Sequence, residues 1–402
     1  MSIAELNIPI LRDYSIADVE NELSKLTNSI TEVRLVLPRS HEKKLFKDSW
    51  ITSLISTASN GRRLKITDWH TSNSESEVVD RLSNSMIGIV STFLANEINN
   101  TQHHVFDIDK KSIFSRISFK SQGLVEDNES GKSFVFCSFD SNHKELNFPV
   151  PLMLSVNSKD EFIGDFLKFK RHYIDSISQK DRIKFDNAPL MLFPQEEKEL
   201  AGFVFELYQN TIKHGSKDEN NELIEGVRFL SIKRHYTWNS MISQATGFSE
   251  LSEYLETFPE KNGMQFYEIS ISDNGMGIIS RLLSTRPDLI QNEGFNNLNA
   301  TSKLNRIIDS SLSSNDYPGS GQGLTIVLNN IKKLKGFLSL RTENQWVYFS
   351  GKNFNEDITK ELVNVKSAHK TPLVRGTHYN ILIPINSKSS SPIQVINGVL
   401  DL

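Results

Sequence analysis

Cysteine, long apolar runs and a strong net charge are all scarce in this sequence. The 402 residues include one cysteine, Cys137, which excludes an internal disulfide and a cysteine-based zinc cluster. The longest apolar stretch, Met86 to Ala95, is too short to span a bilayer. Residues 1–12 lack the basic start and apolar run of a signal peptide. The formal net charge of −4 gives no electrostatic basis for binding nucleic acid or an acidic membrane. We therefore expect a cytoplasmic protein.

The composition is that of an ordinary globular chain, with 38% hydrophobic and 23% charged residues. The length suits two or three domains. Changes of pattern along the chain predict four parts. They are an N-terminal α/β domain that regulates or binds a partner (1–155), a helical connector (156–193), a part that carries most of the motifs (194–386) and a C-terminal tail (387–402).

The N-terminal part opens with a strand–helix–strand pattern. Glu32 to Pro38 and Arg63 to Trp69 predict strands, and Lys47 to Asn60 predicts a helix that Gly61 ends. This order favours a parallel βαβ crossover. The unit loosely resembles the small STAS-type fold of bacterial anti-sigma regulators. A single helix is expected from Glu77 to Asn99.

Three motifs in the first part are interpreted as structural. Gly131-Lys-Ser resembles the end of a Walker A loop, but Glu126 replaces the first glycine and a strand is predicted from Ser133 to Phe139. His103-His104 matches no common zinc spacing and is interpreted as a solvated turn. His143 lies in strand-like sequence, which argues against a role as a phospho-acceptor.

A helix beginning near Pro194 carries the first group of candidate residues. One face is apolar and predicts a core contact. Glu206, Asn210, Lys213 and His214 form a second stripe, with two residues that can be cationic, and Gly215 ends the helix. A carboxylate one turn before an asparagine can polarise a water beside a metal-bound phosphate. The asparagine oxygen is a hard ligand that suits Mg²⁺.

Two glycine-containing turns follow. The predicted strand from Phe266 to Ser272 delivers Asp273 into a turn with Gly275 and Gly277, where a carboxylate can accept from an exocyclic amine. A long polar segment, from Ser280 to Pro318, suits a mobile lid. It ends in the second turn, which leads directly into a helix and therefore suits phosphates. The second turn contains Gly319, Gly321, Gly323 and Leu324.

These patterns together resemble the GHKL ATPase family, which includes gyrase-type topoisomerases, the ninety-kilodalton chaperone, sensor histidine kinases and mismatch-repair ATPases. The resemblance rests on four patterns in order: E-x-x-x-N on a helix, D-x-G-x-G after a strand, G-x-G-x-G-L before a helix and a late Gly-Thr before a strand. It covers residues 194–385. It implies a Bergerat-type α/β sandwich, with a mixed sheet covered on one face by helices and an ATP lid.

The resemblance also implies a role for each matching residue. Asn210 would ligate Mg²⁺, Asp273 would bind adenine, and Thr377 would support that contact through a water. Glu206 matches the general base of the hydrolytic members, but the kinases often have the same residue. Lys213 would approach the phosphates, and with His214 it matches the form of histidine kinases and anti-sigma kinases.

The glycines take the remaining roles. Gly275 and Gly277 would shape the adenine pocket, whereas Gly319, Gly321 and Gly323 would wrap the phosphates ahead of Leu324.

Three functions stay open. The chain is expected to hydrolyse Mg-ATP as a conformational switch acting on a protein partner or on a second copy of itself. The alternatives are a protein kinase acting on a separate partner and a nucleotide-binding scaffold without turnover. No phospho-acceptor hairpin and no transducer domain with a distal catalytic lysine are recognised in the sequence.

Overall fold

Two β-sheets organise the chain. The structure is a computed structural model that describes residues 5–11, 13–27, 29–38, 45–69, 74–102, 104–106, 124–128, 131–140, 158–175, 192–215, 217–218, 220, 222–224, 226–235, 238–245, 247–258, 264–309, 323–351, 362–366 and 371–385. It is an α/β structure, as predicted. The predicted turn at His103, the segment around His143 and the tail after Ile385 lie outside the described residues.

The first sheet is formed by five strands in sequence order, parallel except for the last pair. Its strands are β1 (Glu5–Pro9), β2 (Glu32–Val36), β3 (Arg63–Asp68), β4 (Glu97–Asn100) and β5 (Val105–Phe106). The accompanying helices are α1 (Ile16–Lys25), α2 (Lys47–Ser59), α3 (Glu75–Leu82) and α4 (Met86–Leu94). The parallel pairing of β2 with β3 across α2 confirms the predicted βαβ crossover.

The single helix expected from Glu77 to Asn99 is wrong. The helix is interrupted after α3, and a second one begins where the Ser85 hydroxyl accepts a hydrogen bond from the Gly88 amide. Residues 97–100 are extended because they pair with β3, which a local apolar pattern does not reveal.

The second sheet has eight strands in the order β12-β11-β10-β13-β9-β8-β7-β6. They are β6 (Leu124–Asn128), β7 (Gly131–Asp140), β8 (Gly226–His235), β9 (Gln265–Asp273), β10 (Phe337–Glu343), β11 (Gln345–Ser350), β12 (Val363–Asn364) and β13 (Val374–Ile385). Strand β7 confirms the prediction of a strand, not a helix, after Gly131.

The expected mixed sheet in this part is wrong, because every pair of neighbouring strands in the second sheet is antiparallel. Strands β9 and β10 run in the same direction, as a helical crossover requires. Strand β13 lies between them and is antiparallel to both. The pairing is therefore set by a strand that comes about 100 residues after β9.

Helices cover one face of the second sheet. They are α5 (Lys159–Phe169), which continues into a π-helical turn (Lys170–Ile174), α6 (Pro194–His214) and α13 (Gly323–Lys333). Between β8 and β9 lie α7 (Trp238–Gln244) and α8 (Ser249–Glu256). Between β9 and α13 lie α9 (Ile278–Thr285), α10 (Asp288–Gln291), α11 (Glu293–Asn296) and α12 (Ala300–Asp309). The segment predicted as a lid is thus helical as far as it is described.

The N-terminal unit covers the other face of the second sheet, so it is not the separate domain that we expected. Helix α2 is buried along most of its length, because it lies between the two sheets. Trp50 packs edge-on against Trp346 at 4.8 Å, and the Phe46 amide donates to the buried Glu268 carboxylate at 3.1 Å. Strands β6 and β7 also belong to the second sheet. The boundary predicted at residue 155 therefore does not coincide with a boundary between sheets.

Candidate functional site

The C-terminal end of α6 forms one wall of a cleft that holds about 720 Å³ of empty space, part of it open to solvent. Helix α6 begins at Pro194, where the Glu196 carboxylate accepts from the Phe193 amide at 2.9 Å. The apolar side of α6 is buried in the hydrophobic core that the helix forms with the second sheet. Of the predicted binding residues, those that line the cleft are Asn210, His214, Asp273, Gly277, Gly323, Leu324 and Thr377.

Asp273 lies at the end of β9, opposite Thr377 on β13. Its Oδ1 accepts hydrogen bonds from the backbone N–H of Gly275 at 2.9 Å and of Thr377 at 3.2 Å. Among the described residues, both bonds that reach this carboxylate use Oδ1, so Oδ2 is left to accept from a donor in the cleft. Burial raises the pKa of Asp273 to about 7, against the opposing effects of these two bonds and of Arg228 and Arg375.

Glycines let the backbone pass close to the side chains of Asp273 and Glu343. A Cβ atom at Gly215 would lie 2.5 Å from Asp273 Cγ, which is too close for any side chain. Gly277 has a φ of +97°, and a Cβ there would lie 2.5 Å from Glu343 Cγ. Gly275 does not line the cleft but donates to Asp273 from behind it. A Cβ at Gly275 would lie 2.7 Å from Gly215 Cα. The predicted shaping role of these glycines thus has a steric basis at Gly275 and Gly277 and, without prediction, at Gly215.

Glu206 lies beside the start of α13. Its Oε2 is 3.5 Å from the position of a Cβ at Gly323, and the Asn210 amide nitrogen is 3.7 Å from the same position. The fold therefore brings together Glu206, Asn210 and the N-terminus of a helix more than 100 residues later. On its other side, Glu206 Oε1 accepts a hydrogen bond from the Lys159 ammonium at 2.5 Å.

The two other residues of the predicted stripe differ from expectation. Lys213 is exposed on α6 and is not among the residues that line the cleft. His214 does line it, but its pKa is lowered to about 4, first by burial and then by repulsion from Arg281, Lys213 and Lys217. Of the two residues that can be cationic, His214 is therefore a neutral imidazole near neutral pH.

Sequence reasoning missed most of the apolar wall and one cation. Ile278, Arg281 and Leu282 line the cleft from α9, Ile307 lines it from α12, and Tyr379 from β13. Arg281 is buried and donates to the Asp218 carbonyl at 3.2 Å. The positions of Ile278, Arg281 and Leu282 share one helical face, and this spacing was the available signal.

Glu343 was missed as well. Its carboxylate accepts from the backbone N–H of Ile279 and of Ser280, each at 3.1 Å, and so holds the N-terminus of α9 at the cleft. No local pattern links Glu343 to α9, because the two are about 63 residues apart along the chain.

The residues present fit a magnesium ion held mainly by phosphates. Among the described residues, no three acidic, cysteine or histidine side chains are grouped so that they could hold a metal. Mg²⁺ keeps several waters and usually takes one or two protein ligands beside substrate phosphates. Asn210, at the cleft wall and close to Gly323, suits that requirement. Gly319 and Gly321 lie outside the described residues.

Comparison of the chain with protein-family models, with curated proteins and with solved structures gives no match. Within the described ranges, no helix has the length and apolar character needed to cross a membrane. One end of the cleft offers a buried acceptor between apolar side chains. The other offers the Asn210 amide and a helix N-terminus, and the Glu206 carboxylate lies next to this end without being among the residues that line the cleft.

Proposed function

We propose that this chain is a GHKL-type protein that binds Mg-ATP in the cleft and hydrolyses it as a conformational switch acting on a protein partner. The observation that carries the proposal is the convergence of four distant motifs on one cleft. Asp273 and Thr377 are cross-strand neighbours, and Asn210 and Gly323 line the same cleft. The helices over one face of the second sheet are consistent with a Bergerat-type sandwich.

Adenine suits the end of the cleft at β9. The free Oδ2 of Asp273 matches the exocyclic amine of adenine, and the apolar side chains of Ile278, Leu282 and Ile307 match the faces of the ring. The neutral His214 adds a further planar group to this wall without placing a positive charge there. Guanine carries an oxygen in place of this amine, so the site should favour adenine.

The phosphates suit the end of the cleft at α13. The N–H groups in the first turn of a helix are unpaired within the helix and attract anions. Asn210 Oδ1 is the proposed protein ligand to Mg²⁺, which would offset the negative charge of the phosphates. Glu206 lies beside both groups, where a carboxylate can act on a water next to the terminal phosphate.

In the proposed hydrolysis, Glu206 accepts a proton from the attacking water. The water oxygen forms a bond to the terminal phosphorus, and the bond from that phosphorus to the bridging oxygen breaks. ADP leaves with the electron pair of that bond, and the products are ADP and inorganic phosphate. Transfer to a hydroxyl or imidazole of a partner would use the same groups with that nucleophile in place of water.

A switch is supported by the position of α9–α12. These helices connect Gly277 to the segment before Gly323, and two of them supply side chains to the cleft. A nucleotide in the cleft would contact them directly and could change their packing and the surface offered to a partner. A scaffold without turnover is the second candidate, because the Glu206 carboxylate is already engaged by Lys159.

The experiment is to measure Mg-ATP binding and phosphate release for the wild type, Glu206→Ala and Asp273→Asn. We expect Glu206→Ala to bind Mg-ATP but to release no phosphate. In Asp273→Asn the amide oxygen can still accept at the Oδ1 position, while an NH₂ replaces the acceptor Oδ2. Losing this charged acceptor should weaken binding about 10- to 150-fold, from roughly 1.5–3 kcal/mol per charged hydrogen bond.

Asp288→Asn is the matched control, since Asp288 is exposed on α10 and, within the described part of the chain, pairs with its near neighbour Arg286. Its binding and turnover should equal those of the wild type. Binding without turnover in the wild type favours a scaffold or a kinase, and a labelled protein partner would identify the kinase. Absence of Mg-ATP binding by the wild type would refute the proposal.

A further inference from the structure

A lysine from outside the predicted motifs contacts the proposed base. Lys159 is the first residue of α5, and its Nζ lies 2.5 Å from Glu206 Oε1. The same ammonium lies 5.6 Å from the centre of the Phe205 ring, beside Glu206 on α6. This aromatic contact favours a position of the lysine next to the carboxylate.

Glu206 connects this lysine to the proposed phosphate end of the cleft. Its Oε1 contacts Lys159, whereas its Oε2 lies 3.5 Å from the position of a Cβ at Gly323, in the first turn of α13. An ammonium and a helix N-terminus, both of which attract anions, are thus arranged around one carboxylate. A terminal phosphate bound at α13 would compete with that carboxylate for Lys159.

Buried contacts hold α5 against α6, whereas the side chain of Lys159, at the N-terminal end of α5, is partly exposed. After α5, the buried Lys170 ammonium contacts Asp175 at 2.6 Å and Glu197 of α6 at 2.9 Å. Phe162 packs edge-on against Phe205 at 5.2 Å. The Lys159 side chain, in contrast, is 43% exposed. Its flexible stem can therefore redirect the ammonium without moving the helix.

We propose that Lys159 exchanges partners when Mg-ATP binds, leaving Glu206 for the terminal phosphate, so that Glu206 is freed to act only when ATP fills the cleft. The inference rests on the proposed function and adds to it a means of distinguishing ATP from ADP. A partly exposed ion pair contributes little to stability and is easily broken. A terminal phosphate carries more negative charge than one carboxylate and so is the stronger partner.

The first test measures dissociation constants for Mg-ATP and Mg-ADP, together with kcat and KM, in Lys159→Ala and Lys159→Arg. Lys159→Ala should weaken Mg-ATP binding and raise KM about tenfold, the effect of one charged hydrogen bond. Mg-ADP binding should change less than about twofold, since ADP lacks the terminal phosphate, and kcat should stay within about threefold. Lys159→Arg keeps the charge and should restore the ATP-to-ADP ratio to within about threefold of the wild type.

Lys168→Ala is the matched control, because Lys168 lies on the same helix, is 81% exposed and pairs with Asp165 on that helix. It should leave every constant unchanged. Thermal unfolding without nucleotide should give similar midpoints for both lysine variants.

The second test uses Glu206→Gln, which removes the charge that competes for Lys159. In this variant the preference for Mg-ATP over Mg-ADP, measured as the ratio of their dissociation constants, should be at least about threefold greater than in the wild type, although turnover is lost. The gain should disappear when Lys159→Ala is added, because the two effects act through one ammonium.

A purely structural lysine predicts a different result. Equal loss of ATP and ADP affinity in Lys159→Ala, no loss of either, or no gain in Glu206→Gln would overturn the partner exchange while Mg-ATP binding by the wild type still stands. Absence of Mg-ATP binding by the wild type would overturn the exchange and the proposed function together.

Discussion

The buried Asp273 carboxyl should make the nucleotide-free protein less stable as the pH rises. Its pKa in the folded chain is about 7, against an ordinary value of 3.8. Between these values the unfolded chain loses a proton that the folded chain keeps, so the contribution of Asp273 to stability is fully present below pH 3.8 and is lost as the pH rises through 7. The full difference corresponds to about 4 kcal/mol, at roughly 1.4 kcal/mol for each tenfold change.

Asp273→Asn should remove this pH dependence. The amide cannot ionise, while its oxygen can still accept from the Gly275 and Thr377 amides. The stability of the variant relative to the wild type should therefore increase by roughly 2.5 kcal/mol between pH 5 and pH 8, from the same linkage relation. Urea unfolding at a series of pH values, without nucleotide, measures this difference, and the other titrating groups cancel in the comparison.

The comparison with Asp288→Asn tests whether the effect belongs to the buried position. Asp288 is exposed, and a guanidinium hydrogen bond from Arg286 lowers the pKa of its carboxyl. Its variant should show no change relative to the wild type between pH 6 and pH 8. If Asp273→Asn also gave a constant difference across the pH series, Asp273 would not be held in its neutral form and the reasoning would be wrong.

Three further predictions concern the cleft and its support. Mg-ATP should bind about tenfold more tightly at pH 8 than at pH 6, because accepting from the adenine amine requires the ionised form of Asp273, whose pKa is about 7. Titration calorimetry at both pH values measures the two dissociation constants, and equal affinity would contradict the prediction. Gly215→Ala should abolish Mg-ATP binding, because the added Cβ would lie 2.5 Å from Asp273 Cγ, with Gly164→Ala, in open space on α5, as the equilibrium-binding control. Glu197→Ala should lower the free energy of unfolding by about 3–5 kcal/mol, because it leaves the fully buried Lys170 short of a partner. Denaturant unfolding measures this loss beside the control Glu199→Ala, which removes a more exposed pair with Lys333. An equal loss of stability in both variants would contradict the prediction.

Local sequence patterns were sufficient to predict those elements whose structure depends on neighbouring residues. The helix from Pro194 to His214 was predicted because its apolar period, its starting proline and the following Gly215 agree. The βαβ unit around α2 was predicted for a similar reason. The residues that line the cleft were predicted in part, because motif order indicated which polar side chains could serve one ligand.

What the sequence did not reveal depends on contacts between distant segments. The place of β13 between β9 and β10, and the pairing of β7 with β8, have no local signal. The neutral state of His214 follows first from burial, which the packing of distant segments produces, and then from repulsion by Arg281 on α9 and by the neighbouring Lys213 and Lys217. The contact of Lys159 with Glu206 joins positions 47 residues apart, and only the packing of α5 on α6 brings them together.

The central position of β13 has a consequence for how this protein is made. Residues 374–385 are synthesised after all the other described strands, yet they pair with β9 and β10 in the middle of the sheet. Until they leave the ribosome, the growing chain has two strand edges that cannot be satisfied and a cleft without Thr377. Long-range pairing of this kind is slow and exposes edges to aggregation. The proposed nucleotide can therefore assist folding only after residues 374–385 have been synthesised, and a nascent chain stalled before residue 374 should depend on chaperones to stay in solution.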